Sequence, residues 1–152
     1  MHISIITLLP QFKKRRGSVL VFVLIIFLVV SIITSTVIFI FNNNLKQAKH
    51  QQDRMEAYYL AYSGAETAYA ALNENKSKLD NLIANPAFKE ETKNISFGNG
   101  KIDVVAMKTD EENFKGWIKI TSIAVLNKNG VSYTRVLYFD PSNPADKVWV
   151  NS

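Results

Sequence analysis

The side chains in this chain whose types invite chemistry are two acidic runs, Glu90-Glu91 and Asp110-Glu111-Glu112, and two histidines, His2 and His50. Hard cations are held by clustered carboxylate oxygens, so each acidic run has the ligand type that calcium requires. Neither run has the spacing of a calcium loop, and acidic turns are commonly just solvated. His50 sits in a polar helical stretch, a surface position. No His-x-x-x-His pair, Ser/His/Asp set or phosphate-cradling glycine loop can be assembled. The sequence has no cysteine, which excludes disulfides, thiolate metal sites and cysteine nucleophiles. Asn75-Lys-Ser and Asn94-Ile-Ser fit the glycosylation triplet, which short sequences meet by chance. The sequence therefore predicts no enzyme, no metal and no cofactor.

A different arrangement stands out near the N-terminus, where Lys13, Lys14, Arg15 and Arg16 are followed by Gly17, Ser18 and an uncharged apolar run to Phe41. Of the net charge of +5, these four cations supply four, leaving +1 for everything after Gly17. The remainder thus lacks the basic stripe expected of a nucleic-acid-binding domain. Of the 47% hydrophobic residues, many lie in the apolar run, so the rest has a small core to build.

As a helix, residues 18–41 would extend roughly 36 Å, against a bilayer core of about 30 Å. A domain of the remaining size cannot surround a helix that is apolar on every side, so the run is read as membrane-inserted. Length argues against a strand, and in lipid a helix satisfies its own backbone groups. The positive-inside bias puts the N-terminus in the cytoplasm and the residues beyond about 42 outside. A secretory signal peptide would have a shorter apolar region ending in small residues, and Phe39-Ile40-Phe41 offers no such site.

Basic residues, a glycine and a small residue opening an uninterrupted apolar helix resemble the processing site of type IV prepilins and pseudopilins. The resemblance implies a cut by a prepilin peptidase between Gly17 and Ser18, with methylation of the new N-terminus. Residues 1–17 would be a leader whose cations hold the N-terminus inside, and Gly17 would let the peptidase approach the backbone. The segment MEAYYLAYSGAETAYAAL, residues 55–72, resembles that of PilX-type minor pilins at Tyr59, Leu60, Ala61, Gly64, Glu66 and Ala68. Tyr62 departs from that pattern, standing where many members carry glutamate. A second departure falls at the fifth residue after the cut. Major pilins carry a glutamate there, thought to pair with a neighbour's N-terminal amine, whereas this chain has Phe22. An unpaired carboxylate is costly in an apolar setting, so Phe22 argues against the major subunit and fits a minor or tip-located one.

Beyond the span, residues 42–75 lack proline and favour helix. One stripe is formed by Leu45, Ala48, Gln52, Met55, Tyr59, Tyr62, Glu66 and Tyr69, and a second, smoother one by Tyr58, Ala61, Ala65, Ala68 and Leu72. Either stripe could face a neighbouring subunit or the protein's own sheet. Gly64, which costs about 1 kcal/mol relative to alanine in a helix, predicts a close approach by another element or subunit, or a kink. Helix signals fade around residues 73–77, and Asn85-Pro86 blocks continuation.

The period then becomes two. Strands are expected at 94–97, 101–108, 116–126 and 131–139, with turns at Asn99-Gly100 and at residues 127–130. The tail, 141–152, should be extended on the surface. The expected fold is α+β: a long N-terminal helix continuing into a small pilin-like domain with a three- to four-stranded antiparallel sheet. Its parts are a leader (1–17), a transmembrane or filament-core helix (18–41), an extracytoplasmic helix (42–80) and a β domain (81–152).

The expected function is that of a minor pilin or pseudopilin of a type IV pilus or secretion-like filament, acting in assembly or initiation. The protein would move from the cell membrane into the filament. Its partners would be other pilin subunits, the peptidase and the membrane, with no nucleic acid. Subunit packing is expected of Phe22, Tyr59, Tyr62, Gly64 and Glu66. The alternative is an uncleaved single-pass protein whose outer domain binds a ligand or scaffolds a complex. DNA capture would require Lys101, Lys108, Lys115, Lys119 and Lys128 to converge on the folded sheet.

Overall fold

The computed structural model describes residues 16–151, with side chains from 19 to 150, and the chain divides into two units, Met1–Gln47 and Ala48–Ser152. Most of the expected leader, including Lys13, Lys14 and Arg15, lies outside the described residues. Arg16, Gly17 and Ser18 are described as helical backbone alone.

Helix α1 (Arg16–Glu74) accounts for the described part of the first unit and opens the second. In the first unit every side chain from Val19 to Phe41 is exposed. The mean hydropathy of the most apolar window is 3.0, so the helix is long and apolar enough to cross a membrane. Its few hydroxyls do not break the apolar surface with unmet donors. Ser31, Thr34, Ser35 and Thr36 each donate to the carbonyl four residues back, at 2.8, 2.8, 2.9 and 2.9 Å.

The second unit lays the rest of α1 against an antiparallel sheet. α1 ends at Glu74, and Asn75 then starts α2 (Lys76–Ala84) by accepting a bond from the Lys78 amide at 3.2 Å. The fading helix signal marks this one-residue joint. The helix resumes because Leu79 and Leu82 form a buried face, and Asn85 ends it ahead of Pro86.

Five strands follow, β1 (Lys89–Phe97), β2 (Gly100–Lys108), β3 (Ile118–Leu126), β4 (Ser132–Phe139) and β5 (Lys147–Asn151), in simple meander order. The expected three to four strands are therefore corrected to five, the tail supplying the fifth, and the first strand is longer than expected. β1 begins five residues before the predicted 94, because its Lys-Glu-Glu-Thr-Lys start is a charged edge without an apolar alternation to read. It also shifts register between Thr92 and Ile95, where Asn94 takes φ 56° and its amide donates to Asp103 Oδ1 at 2.7 Å. The tail, expected to lie extended on the surface, instead pairs with β4, Trp149 opposite Leu137.

The core lies between the sheet and the smoother helical stripe. Ala61, Ala65 and Leu72 meet Ile102, Ile118, Ile120, Leu137 and Phe139, all buried, with Leu79 and Leu82 of α2 at one end. Burying one such large aliphatic or aromatic side chain contributes about 1.5–3 kcal/mol, so this cluster is what holds helix and sheet together. Small residues on the helix are what let the backbone come this close.

Candidate functional site

Among the expected packing residues, the structure separates those used inside the protein from those left outside. Phe22 is 63% exposed and Tyr59 58%. Gly64 is buried against the protein's own sheet. A Cβ there would lie 2.5 Å from Ser122 Oγ and 2.6 Å from Ile102 Cγ2, so the close approach is made by β2 and β3. Tyr62 and Glu66 are likewise engaged within the unit. The Tyr62 hydroxyl donates to Glu66 Oε1 at 3.2 Å, and its ring stacks on Trp149 with centroids 4.5 Å apart. Lys147 donates to both Glu66 oxygens, at 2.9 and 3.1 Å. Within the protein, Tyr62 and Glu66 therefore have β5 as their partner, through Trp149 and Lys147, and Gly64 has β2 and β3. Of the first stripe, Leu45, Met55 and Tyr59 stay uncovered.

The acidic runs are also resolved into separate contacts. Strand alternation divides Glu90, opposite Ala106, from Glu91, opposite Val105. Glu90 pairs with Lys78 and Glu91 with Lys93, the latter at 2.8 Å. Glu111 accepts from Lys119 at 2.5 Å and from the Tyr138 hydroxyl at 2.9 Å. The bond from Lys119 holds the Glu111 carboxyl below the usual range, and Lys119 is raised in return. Among the described residues no group of three or more His, Asp or Glu is arranged to hold a metal ion. Three of the five lysines required for a DNA-binding patch are committed to different places: Lys108 to the Ile83 carbonyl at the end of α2, Lys119 to Glu111, and Lys128 to α1.

That last contact belongs to a cluster the sequence reading missed. Asp53, 2% exposed, and Glu56 lie one turn apart on α1 and face the tips of two hairpins. Lys128, in the β3–β4 turn, reaches Asp53 Oδ1 at 2.8 Å and Glu56 Oε2 at 2.7 Å. Beside it, Asn129 Nδ2 donates to Asp53 Oδ2. From the β1–β2 turn, Asn99 Nδ2 donates to Glu56 Oε1 at 2.8 Å. The turn residues were legible as turns, but their partners lie 43 and 76 residues away in sequence, beyond any local signal. Just above this clamp the buried Arg135 stands 5.0 Å from the ring centres of both Tyr58 and Trp149, a cation between two aromatic faces.

The hydrogen bond from Lys128 lowers both carboxyls, overcoming the opposing effect of burial at Asp53, and the carboxylates raise Lys128. The carboxylates contribute stability above their unfolded pKa of about 4, and that contribution is lost as pH falls through their lower folded values. Lys128 contributes below its ordinary value near 10.5, and its share is lost as pH rises through the raised one. Relative to the intrinsic rate at each pH, amide exchange over residues 48–60 should therefore be slow from weakly acidic to weakly alkaline pH and quicken below about 4. Lys128→Met should quicken it at neutral pH and weaken that acid dependence, with Asn129 and Asn99 still donating to the two carboxylates. Unchanged exchange in the variant would show that the clamp does not hold the helix.

Farther along α1 a groove of about 290 Å³ opens between the helix and the inner face of β1 and β2, walled by Ala68, Ala71, Ile95, Phe97 and Val104. The helix covers β2 to β4 but not the edge strand, so the inward side chains of Ile95 and Phe97 remain 39% and 46% exposed.

No protein-family model, curated protein or solved structure matches the chain. Fold and surfaces together define an α+β protein with, among the described residues, one helix of membrane-crossing length and a small antiparallel sheet domain.

Proposed function

We propose that this protein is a minor pilin or pseudopilin-type subunit, cut after Gly17 and assembled into a filament through residues 18–41. The carrying observation is that none of the α1 side chains from Val19 to Phe41 is covered by the rest of the protein. Such a surface is stable only in lipid or against other apolar helices, and a filament subunit exchanges the first for the second without chemistry of its own. Phe22 supports a minor or initiating position, since a subunit without a carboxylate there cannot pair with a neighbour's terminal amine. The folded domain would lie outside the cytoplasm, by the charge bias of the leader.

The test is to express the full chain with and without a prepilin peptidase and to sequence the N-terminus of the membrane-bound product. The expected result is a methylated terminus at Ser18 that appears only with the peptidase and is abolished by Gly17→Val. An intact Met1 in the presence of active peptidase would sink this reading. It would favour the second one, an uncleaved single-pass protein with a ligand-binding outer domain, for which the groove beside β1 is the supporting observation.

A further inference from the structure

The chain contains two Asn-Gly dipeptides, Asn99-Gly100 and Asn129-Gly130, and these two asparagines are the ones whose side-chain amides hold α1. Asn-Gly is favoured at hairpin tips because glycine accepts positive φ, as Gly130 does at 68°. The same dipeptide is the one most prone to deamidation, since a residue without a Cβ leaves its backbone nitrogen free to reach the preceding side chain. Both asparagines are exposed in their turns, as water attack on the intermediate requires.

We propose that Asn99-Gly100 and Asn129-Gly130 are deamidation sites whose conversion releases the clamp between the hairpin tips and α1. In each, the glycine nitrogen attacks the asparagine Cγ, forming a C–N bond. The side-chain amide leaves as ammonia, taking up the proton given up by that nitrogen. Water then opens the resulting succinimide at either carbonyl, leaving aspartate or isoaspartate, with no change of oxidation state.

The site makes this change consequential. Each amide is a donor to a carboxylate, Asn129 to Asp53 and Asn99 to Glu56. The product carries a second carboxylate at the same place, turning attraction into like-charge repulsion. Lys128, a single positive charge, already serves both Asp53 and Glu56, so the added carboxylates would outnumber it further. Conversion is also gated by the fold. The Gly130 amide donates to the Leu126 carbonyl at 2.9 Å, so its nitrogen attacks only when the turn opens. A loosened clamp therefore accelerates its own chemical release.

The experiment is to age the full chain in lipid nanodiscs at mildly alkaline pH, mapping asparagine conversion by peptide mass and isoaspartate content over time. Amide exchange over residues 48–60 is followed in parallel. Asn99 and Asn129 should convert before the chain's other asparagines, and exchange over 48–60 should rise with the converted fraction. Lys128→Met should raise the rate at Asn129 several-fold, whereas the double variant Asn99→Gln with Asn129→Gln should age without the rise in exchange. Conversion no faster than at Asn42 or Asn127, or conversion that leaves exchange unchanged, would overturn the proposal.

Discussion

Gly64→Leu should leave the sheet domain unable to pack on α1, and Gly64→Ala should destabilise it measurably. Even the single added carbon would sit 2.5 Å from Ser122 Oγ and 2.6 Å from Ile102 Cγ2. Ser122 can rotate its hydroxyl away. Ile102 Cγ2 is fixed to a β-branched carbon on β2 and cannot, so backbone must move. Alanine gains about 1 kcal/mol of helix propensity over glycine, but overpacking a dense core costs typically about 1–3 kcal/mol. We expect the second to win. The measurement is urea unfolding followed by tryptophan fluorescence, since both tryptophans, Trp117 and Trp149, lie in the sheet domain. Ile102→Ala should cost less in the Gly64→Ala background than alone, because it removes the clashing methyl. Additive effects would show that the two residues do not meet.

Phe139→Ala should produce the largest loss from any single truncation, about 3–5 kcal/mol. Phe139 is fully buried at the end of β4 and meets the Tyr69 ring edge-on at 5.1 Å between centroids. Tyr69 in turn donates its hydroxyl to the Pro144 carbonyl, which fixes the loop leading into β5. Truncation thus opens a cavity and removes the support of the residue that places β5. A small domain has a total stability of only about 5–15 kcal/mol, so the variant should lose a large share of it and unfold at a markedly lower urea midpoint. A midpoint shift no larger than that of a surface variant such as Lys101→Ala would mean that β4 and α1 do not share this core.

These two positions show how differently the chain's features were legible. The apolar run 18–41, the helix beyond it, the alternation of β2 and β3 and the hairpin turns all rest on periods of a few residues. The amino-acid order alone determines them, because helix and strand geometry are local. Gly64 was legible as a close approach, but the sequence could not say to what. The smooth stripe proved to face the protein's own sheet, while the exposed remainder of the other stripe, Met55 and Tyr59, stays uncovered. Choosing between stripes depends on where the sheet lands, and no local period carries that information.

The same limit explains the other differences. β5 and the charged half of β1 have little pattern of their own and become strands because β4 and β2 present unpaired backbone edges to them. The acidic clusters that suggested a cation site were spread over a strand and a turn whose neighbours supplied lysines. The clamp joins Asp53 and Glu56 to residues 43 to 76 positions away. Its members were ordinary surface residue types until folding buried one carboxylate and brought two turns to meet it. What sequence decided by itself was the membrane-length helix and the helix-then-sheet order, since both follow from local spacing and composition. Tertiary structure alone decided which surfaces are spent inside the protein and which remain outside, because burial is a property of pairs of elements distant in the chain.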